Sequence, residues 1–342
     1  MLVNDVEIRF LRADEAHILT DLVTDAYGTS YDAAWVYDPD EIARRIDAGS
    51  LISTIGLLPD GTVAGHMALM REEPDAPVLH AGVAVVTEAA RGHHLFTSLK
   101  QYAALWAKGE GVLGIFSEAT AAHPYSQKAN IDLGAHETGF LLGWIPGTVS
   151  NNAALAQDAR RQSVALFYLK ENDGHDRPIY APARHRNIIN DIVTTTGLRG
   201  RMMTADAYGE SQIDESTAIV ITQKDDHNLS IITAQQLGRD LRQVVTNARA
   251  DLVANRGRDA VYLDLPLNDP ATEIILDVDL AELGFGFAGV FPNQHLDGDA
   301  LRLQSLHNVD IHASDISTAS DHGRDLLAYI IADVAATHAN RS

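Results

Sequence analysis

Apolar and polar residues follow one another in the first half of the chain in a way that predicts a series of short strands. Glu7 to Arg12 alternates between polar and apolar side chains, which is typical of a strand with one buried face. Val78 to Val86 and Val112 to Ala119 are almost continuously apolar, which predicts strands inside a sheet. Four more strands are expected, at Leu51 to Leu58, Thr62 to Met70, Thr138 to Ile145 and Gln162 to Lys170.

Helices are predicted between these strands, where apolar residues recur at helical spacing. The longest extends from His94 to Lys108 and is followed by Gly109, a residue that commonly ends helices. The others are expected at Ala13 to Ala26, Asp40 to Ala48 and Pro124 to Leu133. The first half therefore has the order β-α-α-β-β-β-α-β-α-β-β.

The second half follows a polar linker, Glu171 to Pro178, and its predicted elements come in a similar order. Strands are expected at Thr217 to Thr222, Leu229 to Thr233, Ala260 to Leu265, Phe285 to Phe291 and Ala300 to Gln304. Helices are expected at Ala183 to Thr196, Leu237 to Asn255, Thr272 to Leu283 and Asp325 to His338. We therefore predict two domains, residues 1–170 and 178–342, and interpret the second as a degenerate copy of the first. An unrelated α/β domain is the alternative.

Composition narrows the class of protein. With 342 residues, of which 46% are hydrophobic, the chain is long enough for two domains with sizeable cores. Its net charge of -21 argues against nucleic acid as a partner, because a polyanion would be repelled. The absence of cysteine excludes disulfides, thiolate metal sites and a cysteine nucleophile. The chain starts without an apolar signal core and has no apolar segment that could span a bilayer, so we expect a cytoplasmic protein.

One stretch, Ala81 to Leu99, combines a buried strand, a turn that contains Arg91 and Gly92, and the start of the long helix. A strand that passes through a tight turn into a helix leaves free backbone N–H groups directed at one place. The positive end of the helix dipole adds to their attraction for a negative group. This stretch is therefore expected to bind an anion, whereas the matching junction of the second half, Thr233 to Leu237, has no Arg-Gly pair.

The Arg91-Gly92 turn, within this order of strands and helices, resembles the GNAT superfamily of acyl-CoA-dependent N-acyltransferases. The signature of that family is Arg/Gln-x-x-Gly-x-Gly/Ala, and His94 stands at its central glycine and Phe96 at its last position. The resemblance implies an α/β (α+β) fold with a mixed, mostly antiparallel central sheet flanked by helices, which is duplicated in this chain. It also implies acetyl-CoA or another acyl-CoA as co-substrate, an amine as acceptor and no metal.

The resemblance also implies roles around the turn. The pyrophosphate of CoA would be held by five successive backbone N–H groups close to Arg91, those of Gly92, His93, His94, Leu95 and Phe96. A backbone N–H near Val85 and Val86, where family members have two strands that splay apart, would polarise the thioester carbonyl. His93 and His94 fit equally well as exposed polar residues at a helix start. Adjacent histidines on a helix point in different directions, which disfavours a shared metal ion.

Glu118 is the candidate for the general base that takes a proton from the acceptor ammonium. It lies within an apolar strand, where partial desolvation makes a carboxylate a better base. The resemblance also places it close to the acyl group. Glu88 and His80 are weaker candidates for the same role. The alternative is that Glu118 faces water or pairs with an arginine.

The proton donor for the leaving thiolate is the main gap in the sequence. Many family members have a tyrosine four residues before the glycine that ends the short helix, and Asn130 takes that place before Gly134. Tyr125 and Ser126 lie upstream on the same segment and are the candidate donors, as is His123. Ser126 or Asn130 is also suited to hydrogen-bond the thiol. Alternatively, Tyr125 packs at the helix start and water protonates the thiolate.

Trp35 and Tyr37 lie in the loop between the first two helices, which in the family forms a wall of the acceptor site. Aromatic rings accompanied by Asp32 and Asp38 suit a cationic amine, through cation–π contacts and ion pairing. Rings that simply cover the core are an equally good interpretation of the same loop.

Together these residues predict an N-acyltransferase that moves an acyl group, expected to be acetyl, from acyl-CoA to a primary amine of a small molecule or a peptide. The alternative is a non-catalytic regulatory protein of the same fold that binds CoA or another nucleotide. We expect no nucleic-acid or membrane partner. Homodimerisation is a further hypothesis, in which the second copy serves association alone.

Overall fold

The computed structural model describes residues 1–3, 5–31, 33–90, 94–147, 160–295 and 298–339. These residues form fifteen strands and eight α-helices. The strands are β1 (Leu2–Val3), β2 (Val6–Phe10), β3 (Leu51–Leu57), β4 (Val63–Met70), β5 (Val78–Val86), β6 (Gly114–Thr120), β7 (His136–Ile145), β8 (Gln162–Lys170), β9 (Arg177–Ile179), β10 (Gly200–Met202), β11 (Ala218–Lys224), β12 (Leu229–Gln236), β13 (Ala260–Pro266), β14 (Gly286–His295) and β15 (Gly298–Leu306). The helices are α1 (His17–Tyr27), α2 (Pro39–Asp47), α3 (Leu95–Gly109), α4 (Tyr125–Asp132), α5 (Arg186–Thr195), α6 (Leu241–Ala254), α7 (Pro270–Leu283) and α8 (Asp321–Ala339). Within these ranges no helix combines the length and the apolar character needed to cross a lipid bilayer.

Thirteen strands form one sheet in the order β1-β2-β3-β4-β5-β6-β8-β7-β14-β15-β13-β12-β11, while β9 and β10 pair separately. Neighbours in the large sheet are antiparallel, except that β5 with β6 and β12 with β13 are parallel. Helices cover the sheet: α3 contacts β3 and β4, α6 contacts β12 and β13, and α8 contacts β7 and β14. The prediction of a mixed, mostly antiparallel sheet flanked by helices is therefore confirmed.

The same succession of elements builds both parts of the sheet. In the first half, β5 leads through α3 to the parallel strand β6, and then through α4 to the antiparallel pair β7 and β8. In the second half, β12 leads through α6 to β13, and then through α7 to β14 and β15. A duplicated unit would show this correspondence. Duplication itself, and the division into residues 1–170 and 178–342, stay predictions.

Local side-chain contacts fix where the first helices begin. The side chain of Asp38 accepts hydrogen bonds from the first N–H groups of α2, with Pro39 as the first helical residue. The helix expected from Ala13 begins later, at His17. The three residues that end at Glu15 form a tighter 3-10 turn instead, and the carboxylate of Glu15 binds Arg9 at 2.7 Å.

The short strands β9 and β10 were not predicted, because three residues are too few for a periodic pattern.

The two parts of the sheet meet at a seam, where β7 runs beside β14. Gly139 pairs with Gly289 at this seam, and a Cβ atom on Gly139 would lie 2.2 Å from a backbone carbonyl oxygen of β14. The side chain of Gln304 supplies the next hydrogen bonds. Its Oε1 accepts from Leu142 N at 2.9 Å, and its Nε2 donates to Phe140 O at 3.2 Å. Backbone groups of β7 at the seam thus bond to a side chain in place of a neighbouring strand.

A buried ion pair fixes β9 to β15. Arg177 donates two hydrogen bonds to Asp299, at 3.0 Å from Nε and 2.5 Å from Nη2, and the two side chains are 5% and 0% exposed. Asp299 also accepts from the backbone N–H of Asn293 at 2.9 Å, and Asn293 Nδ2 donates to Tyr168 Oη at 2.6 Å. Because Tyr168 belongs to β8, this network links the two parts of the sheet.

Candidate active site

A cavity of about 720 Å³ opens where β5 and β6 separate. The two strands are paired as far as Ala81 and Ser117, and the residues that follow, Gly82 to Ala84 and Glu118 to Thr120, line the cavity. The second half contributes lining residues from five strands, β11 to β15, among them Thr222, Ile231, Thr233, Asp264, Phe291, Ala300 and Arg302. The cavity is thus shared by both halves of the chain.

β5 has an irregular backbone at the wall of this cavity. Val83 has a φ of +49°, a strained value for a β-branched residue, and the register with β4 is interrupted there. The ring of His66, on β4, lies 2.8 Å from the carbonyl oxygen of Val83 and 2.5 Å from Ser53 Oγ. Burial lowers the pKa of His66 to about 4, so the ring is neutral. It therefore donates from Nδ1 to Val83 and accepts the Ser53 hydroxyl at Nε2.

The backbone groups predicted to polarise a carbonyl lie next to this bulge. Val85 and Val86 have returned to the regular register, opposite His66 and Gly65 of β4. The described part of the cavity wall includes Val83 and Ala84 but neither of the two predicted valines. The structure therefore brings the backbone of Val83 and Ala84 to the cavity wall, one to three residues before the two predicted valines.

The long helix α3 begins beside the cavity. Its N-cap, His94, has a φ of +56°, the left-handed conformation that glycine adopts most easily. This is the position at which the family signature has its central glycine. Leu95 is buried, and Phe96 lines the cavity. Three residues of the predicted anion site lie outside the described ranges: Arg91, Gly92 and His93.

Lys100, on α3, is buried at the same cavity with an exposure of 1%. Its Nζ donates hydrogen bonds to Ser117 Oγ at 2.6 Å and to Asn130 Oδ1. Desolvation lowers the pKa of Lys100 to about 7. Lys100 was not among the predicted site residues, although its spacing carries a signal. It lies four positions from both Phe96 and Ala104, and so belongs to the inward face of the helix.

α4 brings Asn130 and Ser126 to the cavity but leaves Tyr125 outside it. Asn130 Nδ2 donates to the backbone carbonyl of Ser126 at 2.9 Å, so Oδ1 is turned toward Lys100. Ser126 Oγ is buried and has no hydrogen-bond partner in the part of the chain that the structure describes. Tyr125 is 74% exposed beside the ring of His123, because the first position of α4 points into solvent.

Glu118, the predicted base, lines the cavity from β6, and its side chain is 18% exposed. His80 Nε2, on β5, lies 3.8 Å from Glu118 Oε2. The His80 ring is stacked on Phe116 with 4.4 Å between the ring centroids. Phe116 in turn contacts Phe291 of β14 edge to face. A carboxylate and an imidazole therefore face the cavity together, on a floor of aromatic rings from both halves.

The second half adds a buried ion pair to the cavity wall. Arg302, on β15, donates to both carboxylate oxygens of Asp264, on β13, at 2.7 Å each. Its guanidinium carbon also lies 3.9 Å from the centroid of the Phe291 ring. Burial opposes the charge, but the carboxylates of Asp264 and Glu118 outweigh it and raise the pKa of Arg302. No site residue was predicted in this half, because Asp264 is a single acid in an apolar strand and Arg302 is one of several polar residues in β15.

The end of α1 and the loop that follows it bring Tyr27, Tyr31 and Trp35 to the cavity. Arg45 lies 4.8 Å from the centroid of the Trp35 ring, so one cation of the chain already contacts that ring. Tyr37 is not among the described lining residues. Its Oη accepts a hydrogen bond from Tyr31 N at 3.0 Å, which shapes the loop.

Lys100→Met should change stability in a way that depends on pH. Between about pH 7 and pH 10.5 the unfolded chain binds a proton at Lys100 that the folded protein does not, so wild-type stability rises with pH. At pH 7 burial of the cation costs on the order of 4 kcal/mol, whereas the two acceptors left without a donor cost about 2 kcal/mol. We expect the variant to be about 2 kcal/mol more stable than wild type at pH 7 and less stable at pH 10.

Urea unfolding at both pH values measures these differences. Lys108→Met replaces an exposed lysine of the same helix and should show no pH-dependent difference from wild type. If Lys100→Met differed from wild type by the same amount at both pH values, burial would not be lowering the pKa of Lys100.

Half of this chain is similar in structure to acetyltransferases of the GNAT superfamily. A phosphinothricin acetyltransferase of that superfamily from Sinorhizobium meliloti, solved with acetyl-CoA, matches 50% of this chain and 90% of its own at 16% identity and a TM-score of 0.40. Mutant forms of the spermidine/spermine N-acetyltransferase of Vibrio cholerae match 49% of this chain and 94% of their own, at 13% identity and a TM-score of 0.40. A ribosomal-protein-S5-alanine acetyltransferase from Vibrio fischeri matches 51% of this chain and 97% of its own, at 10% identity and a TM-score of 0.41. No family model and no curated protein sequence matches the chain.

Proposed function

We propose that the protein transfers an acyl group, expected to be acetyl, from an acyl-CoA thioester to a primary amine. The observation that carries the proposal is the meeting of two features at one cavity, the carboxylate of Glu118 and the irregular backbone at Val83 and Ala84. Such a transfer needs a base for the amine and fixed hydrogen-bond donors for a carbonyl oxygen. It also needs a proton for the leaving thiolate, whereas the acyl group itself is already activated as a thioester.

Glu118 takes the proton from the acceptor ammonium in this proposal. Its carboxylate borders the cavity, and His80 at 3.8 Å is placed to pass the proton on. The freed amine attacks the thioester carbonyl, whose oxygen is received by the backbone N–H groups of the bulge. The hydrogen bond from His66 to Val83 holds that backbone in place before any substrate binds, which is what stabilisation of a developing oxyanion requires.

The CoA moiety is assigned to the gap between β5 and β6 and to the start of α3. This helix has 15 residues, and its first N–H groups have no partner within the helix. The left-handed backbone of His94 keeps the turn in the form that a glycine would give it. Ser126 Oγ offers a further hydrogen bond inside the gap. Arg91 and Gly92, which lie outside the described residues, are assigned to the same anion site from the sequence alone.

The acceptor amine is assigned to the side of the cavity that the second half lines. Asp264 and Arg302 bring one charge of each sign to that side, and Trp35 adds an aromatic wall from the first half. Residues 178–342 therefore shape the acceptor side in this proposal, and they bind no CoA of their own.

A non-catalytic CoA-binding protein is the second candidate. The side chain of Asn130 favours it, because an amide has no labile proton for a leaving thiolate, and both of its polar atoms already have partners. Under this reading the same gap and the same helix start bind CoA, but no acyl group is transferred.

Ligand binding and turnover separate the two candidates. Acetyl-CoA and CoA should each raise the melting temperature under either one, because a ligand that binds only the folded state stabilises it. Release of the CoA thiol across a panel of primary amines is expected only from an acyltransferase. If neither ligand raised the melting temperature, both candidates would fail. Binding without thiol release would leave the second.

Glu118→Gln should lower kcat by about 10²-fold and leave the affinity for CoA unchanged, because glutamine keeps the shape but cannot take the proton. Thiol release at saturating amine and a titration with CoA measure the two quantities. Glu110→Gln makes the same change at an exposed acid that is not among the described cavity-lining residues, and it should keep the wild-type rate. A wild-type rate in Glu118→Gln would remove Glu118 as the base.

A further inference from the structure

The ammonium of Lys100 reaches the place where β6 leaves β5. Ser117, the last residue of β6 in register with β5, accepts one of its hydrogens at 2.6 Å, and Asn130 on α4 accepts another. A lysine ammonium has three hydrogens to donate. The third has no partner among the residues that the structure describes. Since Lys100 lines the cavity, a bound molecule can accept that hydrogen.

The surroundings of Lys100 hold it in position but do not neutralise it. Asn130 is itself fixed, because its Nδ2 donates to the carbonyl of Ser126 at 2.9 Å. Across the described ranges, no carboxylate forms an ion pair with Lys100, and desolvation alone lowers its pKa. A buried cation without a counter-charge reduces stability. Titratable groups kept at such a cost in a cleft are candidates for function.

Acyl transfer from a thioester ends with a thiolate that needs a proton. Glu118 is already occupied as the base, and Tyr125 points into solvent. The hydroxyl of Ser126 is a weak acid. Burial lowers the pKa of Lys100 to about 7, so its ammonium releases a proton near neutral pH far more readily than an exposed lysine does.

We propose that Lys100 is the general acid of the acyl transfer, an inference that rests on the function proposed above. When the tetrahedral intermediate collapses, the C–S bond breaks, its electron pair stays on sulfur, and sulfur takes a proton from Nζ. The acceptor ammonium loses two protons in all. One leaves through Glu118, and the other returns Lys100 to its charged form. An ammonium and a thioester thus give an amide, a thiol and one released proton.

Other titratable groups lie on the elements packed around Lys100: Glu118 on β6, His80 on β5, His66 on β4 and His123 before α4. The cavity is also lined by Glu72, Lys224, His227 and the Asp264–Arg302 pair. Burial lowers the pKa of His66 to about 4 and also lowers the pKa of His123, so both rings are neutral at pH 7 and above. A fall of kcat above pH 7 is assigned to Lys100 only if Lys100→Met lacks it, because a fall caused by any of the other groups would persist in that variant.

The test measures kcat against pH for wild type, Lys100→Met and Lys100→Arg, with acetyl-CoA and the amine from the panel that wild type uses best. Wild-type kcat should fall above about pH 7, as Lys100 loses its proton. Lys100→Met should be about 10²-fold slower at pH 7 and should lack this fall, with CoA affinity unchanged. Lys100→Arg keeps the charge but does not release its proton, so it should be equally slow.

Lys108→Met is the matched control and should keep both the wild-type rate and the wild-type pH profile. If either Lys100 variant kept the wild-type kcat, or if the fall above pH 7 persisted in Lys100→Met, Lys100 would not be the acid. A loss of CoA affinity with unchanged kcat would also overturn the proposal and make Lys100 a binding residue. A wild-type protein that released no thiol with any amine would instead overturn the proposed function itself.

Discussion

Arg177→Met is expected to lower the free energy of unfolding by about 3–5 kcal/mol. The variant leaves the carboxylate of Asp299 buried, with 0% of its side chain exposed, and removes the group that donates two hydrogen bonds to it. A carboxylate that can reach neither water nor a cation is costly, so breaking the pair destabilises by more than the intact pair stabilises. Urea unfolding at pH 7 measures the loss.

Two further variants control for this effect. Arg177→Met combined with Asp299→Leu removes both charges and should recover most of the stability, because an apolar replacement of a whole buried pair is often neutral. Arg199→Met breaks an exposed pair, with Asp176 at 2.8 Å and 73% exposed, and should change stability by less than about 1 kcal/mol. Equal losses in the Arg177 and Arg199 variants would contradict the role of burial.

Gly139→Ala should destabilise the protein by about 3 kcal/mol, because it forces the seam of the sheet apart. The new Cβ atom would lie 2.2 Å from the carbonyl oxygen of Ala288 and 2.6 Å from the Cα of Gly289. Both contacts are backbone atoms, which cannot rotate away as the end of a side chain can. The strands must therefore separate, and the hydrogen bonds of Gln304 across the seam are stretched. Urea unfolding compares this variant with wild type.

Gly109→Ala is the matched control for that substitution. A Cβ atom on Gly109 meets nothing within 4 Å, and this glycine ends a helix, so alanine should be neutral or slightly stabilising. If Gly139→Ala unfolded at the same urea concentration as wild type, β7 and β14 would not approach each other as closely as the structure indicates.

The pattern of apolar residues along the chain was enough to predict the strands and the helix that build the site. The strand from Val78 to Val86, the helix that follows and the strand that contains Glu118 all occur within one or two residues of their predicted bounds. Continuous apolar character is a reliable sign here, because β5 and β6 lie inside the sheet, with neighbours on both sides. Glu118 accordingly lines the cavity as an acid in an apolar strand.

Contacts between distant parts of the chain could not be predicted in this way. Lys100 binds Ser117 and Asn130, which are 17 and 30 positions away, and a lysine with no such acceptors would extend its side chain to water. The bulge at Val83 has a similar origin, since it is held by His66 from the neighbouring strand. Neither feature changes the apolar pattern of its own element.

The direction of side chains on a short helix could not be predicted from the sequence either. Tyr125 and Ser126 are neighbours, and adjacent helix positions point about 100° apart. Ser126 therefore faces the cavity, while Tyr125 is 74% exposed. α4 has only eight residues, too few for a clear apolar face that would have told the two apart.

The seam between β7 and β14 also determines where the large sheet bends most easily. Over the described ranges, β7 and β14 share one register pair, and the amide of Gln304 supplies the next bonds. A sheet flexes most easily along its least bonded line, and this line runs between the wall that holds Glu118 and the wall that holds Asp264. A ligand that contacts both walls restricts the bending of the sheet at that line. Part of its binding free energy goes into stopping the flexing, so its affinity depends on the stiffness of the sheet as well as on the contacts it makes.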